Sequence, residues 1–249
     1  MRMSSTRLYI EQPIVAGSEA EISGDPANYV GRVLRLKAGD ALTLFDGRGA
    51  EYEAVLRSLS KSSIRVTVGD KCLRSTESPL RIHLLQGVSR GERMDLVVQK
   101  ATELGVHRIT PVLTDHTMVR LDDKRAAKRT QHWKGIAASA CEQCGRNVLP
   151  VVDSPIALRT WISEHPGDQA PRLIMTPGAA VSLASVRPVE DRLTLLIGPE
   201  GGFSDAEYEL AELTGFKSVG FGPRVLRTET AALAILAALQ VLFGDLAPA

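Results

Sequence analysis

The feature that most constrains the fold is a regular alternation of short apolar runs and helical patterns from residue 80 onward. The apolar runs predict strands over residues 80–87, 108–113, 148–152, 172–176, 193–197 and 218–221. The segments between them predict helices over residues 92–104, 122–144, 155–164, 205–213 and 228–243. Strands that alternate with helices form a mainly parallel sheet with helices on both faces. The sequence therefore predicts an α/β fold for this part of the chain.

The first 70 residues show a different pattern, in which short β-branched runs are separated by turn signals. The runs predict strands over residues 7–10, 42–45, 51–56 and 63–68. A helix is predicted over residues 26–36, with Asp25 as its N-cap. This pattern indicates a small β-barrel-like domain. We predict domains over residues 1–72 and 80–249, joined by a polar linker over residues 73–79.

The charge of the chain is balanced in total but uneven along its length. Thirty Lys and Arg residues face 29 Asp and Glu residues, and a net charge of +1 excludes a strongly basic nucleic-acid coat. Residues 81–134 nevertheless carry 11 basic and 6 acidic residues, whereas residues 135–249 carry 8 and 13. The basic run at residues 120–134 includes Arg120, Lys124 and Arg125. It predicts either a phosphate-binding surface or simply the solvated face of a helix.

The sequence contains no sign of a membrane or secretory protein. Its longest apolar run falls well short of the roughly 20 residues that span a bilayer, and residues 1–11 lack the apolar stretch of a signal peptide. Three cysteines, an odd number, do not make a disulfide framework. We therefore expect a cytoplasmic protein without a membrane partner.

Two short motifs have competing interpretations. Residues 87–91 match G-x-S-x-G, which would make Ser89 the nucleophile of a serine hydrolase. A triad also needs a histidine, and none follows His165, so a plain strand-to-helix turn is the alternative. Cys141 and Cys144 form a C-x-x-C near the end of a predicted helix, with Cys72 far away. Zinc needs about four ligands, so we expect no metal there.

The strongest candidate for a functional site is a pair of glycine-bearing loops. Residues 197–202 read IGPEGG and residues 222–231 read GPRVLRTETA. Each loop follows a predicted strand and opens a helix, and parallel sheets bind ligands at the carboxyl ends of their strands. Neither loop is a Walker A or a G-x-G-x-x-G motif. The two loops therefore predict one pocket of backbone groups, suited to an adenine ring without a phosphate grip.

These two segments resemble the signatures of the RsmE-type ribosomal RNA (uracil-N3) methyltransferases of the SPOUT superfamily. Four further segments resemble the same family: KATELGV at residues 100–106, EQCGR at 142–146, RLY at 7–9 and RVLR at 32–35. The family often has serine where this chain has Cys144. The resemblance therefore covers nearly the whole chain.

The resemblance implies an N-terminal PUA-like RNA-binding barrel and a C-terminal α/β domain closed by a deep trefoil knot. It also implies a homodimer that holds S-adenosylmethionine in the knotted loops. The implied substrate is a uridine of small-subunit (16S) ribosomal RNA. A non-catalytic RNA-binding protein is the alternative function, and a hydrolase that uses Ser89 is another.

The resemblance also carries roles onto residues of this chain. The implied cofactor-binding residues are Thr176, Ile197, Gly198, Glu200, Gly202, Phe221, Gly222 and Leu226. Arg227 is the candidate that stabilises the developing uridine anion, and Glu229 or Glu200 could assist proton removal. The alternative for Glu229 is a first-turn acid that satisfies backbone amides. The candidate RNA-binding residues are Arg7, Arg32, Arg35, Lys124, Arg125 and Arg146, although Arg146 could equally cap its own helix.

Overall fold

The computed structural model describes residues 6–118, 122–167 and 170–247 of the 249-residue chain. It divides into two compact units. The first contains the described residues of Met1–Glu77 together with Ala138–Leu149, and the second contains those of Ser78–Ala137 and Pro150–Ala249. The sequence predicts a single boundary at residues 73–79. It does not predict the return of Ala138–Leu149 to the first unit, because one unbroken helical pattern runs into this segment.

The first unit is built on a five-stranded sheet. Its strands are β1 (Thr6–Tyr9), β2 (Glu19–Ser23), β3 (Ala41–Phe45), β4 (Glu51–Leu59) and β5 (Ser63–Cys72). They lie in the order β1-β3-β4-β5-β2, and β1 and β3 are parallel whereas the other pairs are antiparallel. Alternate residues of β4 and β5 are buried, which is the period of a strand with one face on a core. Strand β2 was not predicted, because Ile22 is its only fully buried side chain.

The predicted helix over residues 26–36 is shorter and differently wound than expected. Helix α1 covers Asp25–Asn28, and a π-helical turn continues it over Tyr29–Val33. The N-cap is Gly24, whose φ of 77° suits glycine, and no side chain caps the helix. The prediction of Asp25 as N-cap is therefore wrong. Asp25 is the first residue of the helix, where its charge still favours the helix dipole.

The second unit alternates strands and helices, as the sequence predicts. Its strands are β6 (Arg81–Gly87), β7 (Arg108–Leu113), β8 (Val151–Val152), β9 (Ile156–Ala157), β10 (Arg172–Met175), β11 (Arg192–Ile197) and β12 (Phe216–Val219). Its helices are α2 (Arg93–Glu103), α3 (Asp123–Cys144, which ends in the first unit), α4 (Leu158–Glu164), α5 (Asp205–Leu213) and α6 (Thr228–Phe243), with a 3-10 turn at Leu183–Ser185. Within the described ranges, no helix is long and apolar enough to cross a membrane.

The seven strands of this unit form a parallel sheet that is buried on both faces. The order is β12-β10-β11-β6-β7-β8, with β9 paired to the end of β7. Neighbouring residues of one strand pack into different cores, as Leu195 and Leu196 of β11 do. The prediction of a mixed α/β fold is confirmed. Because β6, β10, β11 and β12 lie next to one another and run parallel, their carboxyl ends meet at one edge of the sheet.

Candidate functional site

A pocket of about 560 Å³ lies in the second unit, where β10, β11 and β12 end. All eight residues predicted to bind a cofactor line this pocket: Thr176, Ile197, Gly198, Glu200, Gly202, Phe221, Gly222 and Leu226. The two catalytic candidates, Arg227 and Glu229, line it as well. The structure therefore brings together in one cavity the residues that three separate segments contribute.

Close backbone contacts hold the loops around this pocket in place. At Gly87, the last residue of β6, an added Cβ would lie 2.3 Å from the backbone nitrogen of Pro199. At Gly220 a Cβ would lie 2.4 Å from the carbonyl oxygen of Ala179, and the Gly220 N–H donates to the carbonyl of Val181 at 2.9 Å. Both positions need glycine because another stretch of backbone occupies the space of a side chain.

A buried chain of hydrogen bonds connects the two predicted loops. The side-chain amide of Gln86 donates to Oγ1 of Thr228 at 2.9 Å, and that hydroxyl donates to the carbonyl oxygen of Gly198 at 2.6 Å. Gln86 is fully buried. Buried polar groups that are hydrogen-bonded hold their elements in fixed positions. These hydrogen bonds therefore join the start of α6 to the loop after β11.

Glu200 is held by the turn between β6 and α2. Its Oε1 accepts hydrogen bonds from the backbone N–H of Arg90, at 3.1 Å, and from the guanidinium of Arg93. Burial raises the pKa of Glu200, but hydrogen bonds from its own backbone N–H, from Arg93 and from Arg90 outweigh burial and lower that pKa. A carboxylate with a lowered pKa is a weak proton acceptor. The arrangement therefore favours a structural role for Glu200.

Glu229, in the first turn of α6, has a different environment. Its Oε1 lies 3.9 Å from Nε of Arg93, whereas its Oε2 is buried and has no hydrogen-bond partner in the described part of the chain. The interpretation of Glu229 as an acid that satisfies backbone amides therefore lacks support at Oε2. Of the two acidic candidates, Glu229 is the one with a carboxylate oxygen that accepts no hydrogen bond from the described residues.

Arg227 immediately precedes α6 and occupies its N-cap position. It is exposed and lines the pocket together with its neighbours in the loop. A guanidinium stays charged at any ordinary pH. The chain therefore places a permanent cation beside the pocket, two residues from the Glu229 carboxylate.

Sequence reasoning missed several residues of the pocket. Met175 and Phe203 line it, and so do Tyr208 and Arg93. The rings of Tyr208 and Phe203 meet edge to face at 5.4 Å, and burial raises the pKa of the Tyr208 phenol while a hydrogen bond with Thr176 opposes the rise. No motif signals these residues, since each reaches the pocket only through the packing of its element.

Ser89 is not placed as a nucleophile. It is 1% exposed, and its hydroxyl donates to the carbonyl oxygen of Gly87 at 3.4 Å. A serine nucleophile must meet its substrate, and this one is covered. The G-x-S-x-G segment is the strand-to-helix turn between β6 and α2, so the structure offers no support for the hydrolase.

The C-x-x-C segment is equally inert. Cys141 and Cys144 are both free thiols, and burial raises the pKa of Cys141 to about 12. The thiolate is the form that attacks disulfides and binds metals, so a protonated Cys141 does neither at neutral pH. Among the residues that the structure describes, no group of three or more His, Cys, Asp or Glu is arranged to hold a metal ion.

Two of the arginines predicted to bind RNA make internal contacts of the first unit. Arg7 pairs with Glu51, donates to Asn147 at 2.5 Å and lies over the ring of Phe45 at 4.8 Å. Arg146 is 4% exposed, and its guanidinium donates to both carboxylate oxygens of Glu77. Both arginines therefore stabilise the first unit, Arg146 through its ion pair with Glu77.

The other predicted RNA contacts are exposed wherever they are described. Arg35, Lys124 and Arg125 are exposed, and Arg125 forms an ion pair with Asp122 at 3.4 Å at the start of α3. Only the backbone of Arg32 is described, and Arg120 lies outside the described residues. The exposed cations remain available to a partner.

A second concavity, of about 870 Å³, lies within the first unit. It is formed by β1, α1 with its π-helical turn, and the end of α3. Its lining includes Tyr9, Tyr29 and Asn28. Its aromatic rings and amide groups suit it to binding.

Comparison with known proteins gives consistent results for both units. A family model described as an RNA methyltransferase domain matches residues 76–240, and one described as an RNA methyltransferase PUA domain matches residues 22–69. Ribosomal RNA small subunit methyltransferase E of Buchnera aphidicola (subsp. Schizaphis graminum) is 33% identical over 99% of this chain and all of its own length. The enzyme of the same name from Bacillus subtilis is 31% identical, over 96% of this chain and 99% of its own.

Solved structures extend the similarity to the fold. A Legionella pneumophila protein described as a methyltransferase, in complex with its cofactor SAM, is 39% identical with a TM-score of 0.93; the match covers 98% of this chain and all of that one. A ribosomal RNA small subunit methyltransferase E from Neisseria gonorrhoeae, bound to S-adenosyl methionine, is 37% identical with a TM-score of 0.90; it covers 97% and 99%. The similarity thus spans both units.

Proposed function

The chain belongs to the RNA methyltransferase family of ribosomal RNA small subunit methyltransferase E, and from this premise we propose that it methylates small-subunit (16S) ribosomal RNA with S-adenosylmethionine. The position modified is N3 of a specific uridine. The observation that carries the proposal is the pocket at the ends of β10, β11 and β12, where all eight predicted cofactor residues converge. The proposed location is the cytoplasm, which is consistent with a ribosomal RNA substrate.

The residues of the pocket fit S-adenosylmethionine. Met175, Phe203 and Leu226 provide apolar surface for an adenine ring, and the glycine loops bring backbone close to the pocket. The unpartnered Oε2 of Glu229 is a buried acceptor for which the described part of the chain supplies no donor. When bound, S-adenosylmethionine supplies an electrophilic methyl group on a sulfonium.

The residues of this chain have two tasks in the proposed reaction. The weakly acidic N3–H of uracil must lose its proton, and the carboxylate of Glu229, which lines the pocket, accepts that proton. Arg227 stabilises the negative charge that develops on the uracil, because it places a permanent cation beside the pocket. Glu200 keeps the loop after β11 in place through Arg93.

RNA is bound through exposed cations and through the PUA-like first unit. Arg35, Lys124 and Arg125 contact phosphates, which fix the position of the RNA without reading its sequence. The second concavity offers Tyr9 and Tyr29 for stacking with unpaired bases. Arg7 and Arg146 support RNA binding indirectly, by holding the first unit together.

Three further features belong to the proposal. The first unit is a PUA-like barrel, the second closes in a deep trefoil knot, and two chains form a homodimer. The family resemblance supports all three.

Calorimetry with S-adenosylmethionine distinguishes this enzyme from a non-catalytic RNA-binding protein. The enzyme binds the cofactor saturably with one site per chain, and then transfers a labelled methyl group to small ribosomal subunits. A protein that binds RNA but shows no heat of cofactor binding at high micromolar cofactor is not a methyltransferase. The hydrolase has its own test, since a fluorophosphonate probe that labels Ser89 would restore that alternative.

A further inference from the structure

The turn between β6 and α2 carries no nucleophile, yet it lies directly against the pocket. Gly87 is the last residue of β6, and a Cβ added there would lie 2.3 Å from the backbone nitrogen of Pro199. Three residues later, the backbone N–H of Arg90 donates to Oε1 of Glu200 at 3.1 Å. Helix α2 then begins at Arg93, whose side chain lines the pocket. The turn thus brings an arginine to the junction of the two glycine loops.

Arg93 contacts one carboxylate from each of these loops. Its NH1 donates to Oε1 of Glu200, in the loop after β11. Its Nε lies 3.9 Å from Oε1 of Glu229, in the first turn of α6. A planar guanidinium has donors along two edges, so it can serve two acids at once. Glu200 anchors one edge and leaves the other directed at Glu229.

Glu229 depends more on this contact than Glu200 does. The Glu229 side chain is 13% exposed and the Arg93 side chain 43% exposed, so water reaches the arginine more readily than the acid. Glu200 has backbone donors besides Arg93, whereas among the described residues the Glu229 carboxylate forms its ion pair with Arg93. The pair engages Oε1, and Oε2 is buried without a hydrogen-bond partner in the described part of the chain.

We propose that Arg93 is a positioning residue that orients the Glu229 carboxylate so that it receives the proton of the substrate. This inference rests on the function proposed above. In the step, the N3–H bond of the uridine breaks and its proton moves to the Glu229 carboxylate. The electron pair left on N3 forms the bond to the methyl carbon, while the sulfur–methyl bond breaks and its electron pair stays on sulfur. Arg93 also anchors Glu200, but at saturating cofactor its effect on turnover acts through Glu229, and it does not touch the reacting atoms.

A double-mutant cycle on turnover tests the proposal. The variants are Arg93→Gln, Glu229→Gln and the two combined, with Arg93→Lys as the conservative replacement. Arg81→Gln is the matched control, since Arg81 is exposed at the opposite end of β6. For each protein, kcat is measured on small ribosomal subunits at saturating substrates, and the Kd for S-adenosylmethionine is measured by calorimetry.

We expect Arg93→Gln to lower kcat at least about tenfold, as part of an acid–base contribution of roughly 100- to 10,000-fold. In the Glu229→Gln background the same change should lower kcat less than about twofold, because residues that act through one group are non-additive. Arg93→Lys should recover most of the turnover, and Arg81→Gln should match the wild type.

Other results overturn the proposal. Additive losses would mean that Arg93 acts independently of Glu229, and full turnover in Glu229→Gln would remove the proton acceptor. Should Arg93→Gln fail to fold, Arg93→Met keeps an apolar stem without the charge and completes the cycle. A wild-type protein that neither binds the cofactor nor methylates RNA contradicts the proposed function instead, so the two failures are distinguishable.

Discussion

Thr228 donates its hydroxyl proton to the carbonyl oxygen of Gly198 at 2.6 Å, and so joins the first residue of α6 to the loop after β11. The same hydroxyl accepts from Gln86 of β6 at 2.9 Å. One small side chain therefore ties together three elements that border the pocket. The position of both glycine loops depends on this contact.

Replacing Thr228 by Val should destabilise the protein and weaken the cofactor site. The substitution keeps the shape but leaves the Gly198 carbonyl and the buried Gln86 amide each short of a partner. We expect the free energy of unfolding in urea to fall by about 2 kcal/mol. Thr228→Ser keeps the hydroxyl and should lose less than about half of that. Equal stability of the Val and Ser variants would show that the hydroxyl does not hold the loops.

Replacing Gly87 by Ala should disturb the contact between β6 and the loop after β11. The new Cβ would lie 2.3 Å from the Pro199 nitrogen, so backbone must shift. We expect the free energy of unfolding to fall by about 1–3 kcal/mol and the affinity for S-adenosylmethionine to fall as well. Gly135→Ala in α3 is the control, since no atom lies within 4 Å of its added Cβ. This variant should raise the free energy of unfolding by about 0.5–1 kcal/mol. Equal changes in stability in the two variants would show that Gly87 and Pro199 are not in tight contact.

His83 should make stability depend on pH below neutrality. Burial lowers the pKa of His83 from 6.5 to about 4, with a smaller effect of the Arg108 charge in the same direction. The unfolded chain takes up a proton as pH falls through 6.5, whereas the folded protein does so only near 4. The stability that the neutral His83 contributes is therefore complete above pH 6.5 and is lost as pH falls from 6.5 to 4. At pH 5 the loss amounts to about 2 kcal/mol.

The variant His83→Gln isolates this contribution. Between pH 8 and pH 5, the unfolding free energy of the wild type should fall by about 2 kcal/mol more than that of the variant. Urea unfolding at the two pH values measures the difference. Parallel decreases in the two proteins would show that His83 titrates normally in the folded state.

Replacing Arg227 by Ala should slow methyl transfer strongly but leave the affinity for the cofactor nearly unchanged. If Arg227 stabilises charge only as it develops on the uracil, kcat should fall by about 100- to 1,000-fold, as for other such donors. The calorimetric Kd for S-adenosylmethionine should stay within a few-fold of the wild type. Lys217→Ala, which removes an exposed cation from β12, should leave both values unchanged. Lost cofactor binding with normal turnover at saturation would make Arg227 a binding residue.

Much of the second unit could be predicted because its signals are local. Helix α5 begins where the sequence places it, since Ser204 and Glu207 form a capping box: the Ser204 side chain accepts from the Glu207 N–H, and the Glu207 carboxylate accepts from the Ser204 N–H at 2.9 Å. The two loops could be predicted because glycine is needed wherever backbone approaches backbone, as at Gly201, where an added Cβ would lie 3.3 Å from the carbonyl oxygen of His116.

What could not be predicted depends on partners that are distant in sequence. Arg146 pairs with Glu77, and Arg7 with Glu51 and Asn147, and no local pattern predicts these contacts. That both residues bind RNA stays a prediction. Arg93 reaches Glu200 across 107 positions, and nothing in its own segment announces this contact. The segment Ala138–Leu149 belongs to the first unit for the same reason, since its bonds to β1 and to the Gly47 turn are long-range.

The central claim is tested most directly by mass spectrometry of ribosomal RNA. Small subunits from cells that lack this modification are incubated with the purified protein and S-adenosylmethionine, and the RNA is then digested to nucleosides. The account predicts N3-methyluridine, close to one per subunit, that appears only when protein and cofactor are both present. RNA that stays unmodified, or that carries the methyl group on another atom, would contradict the account.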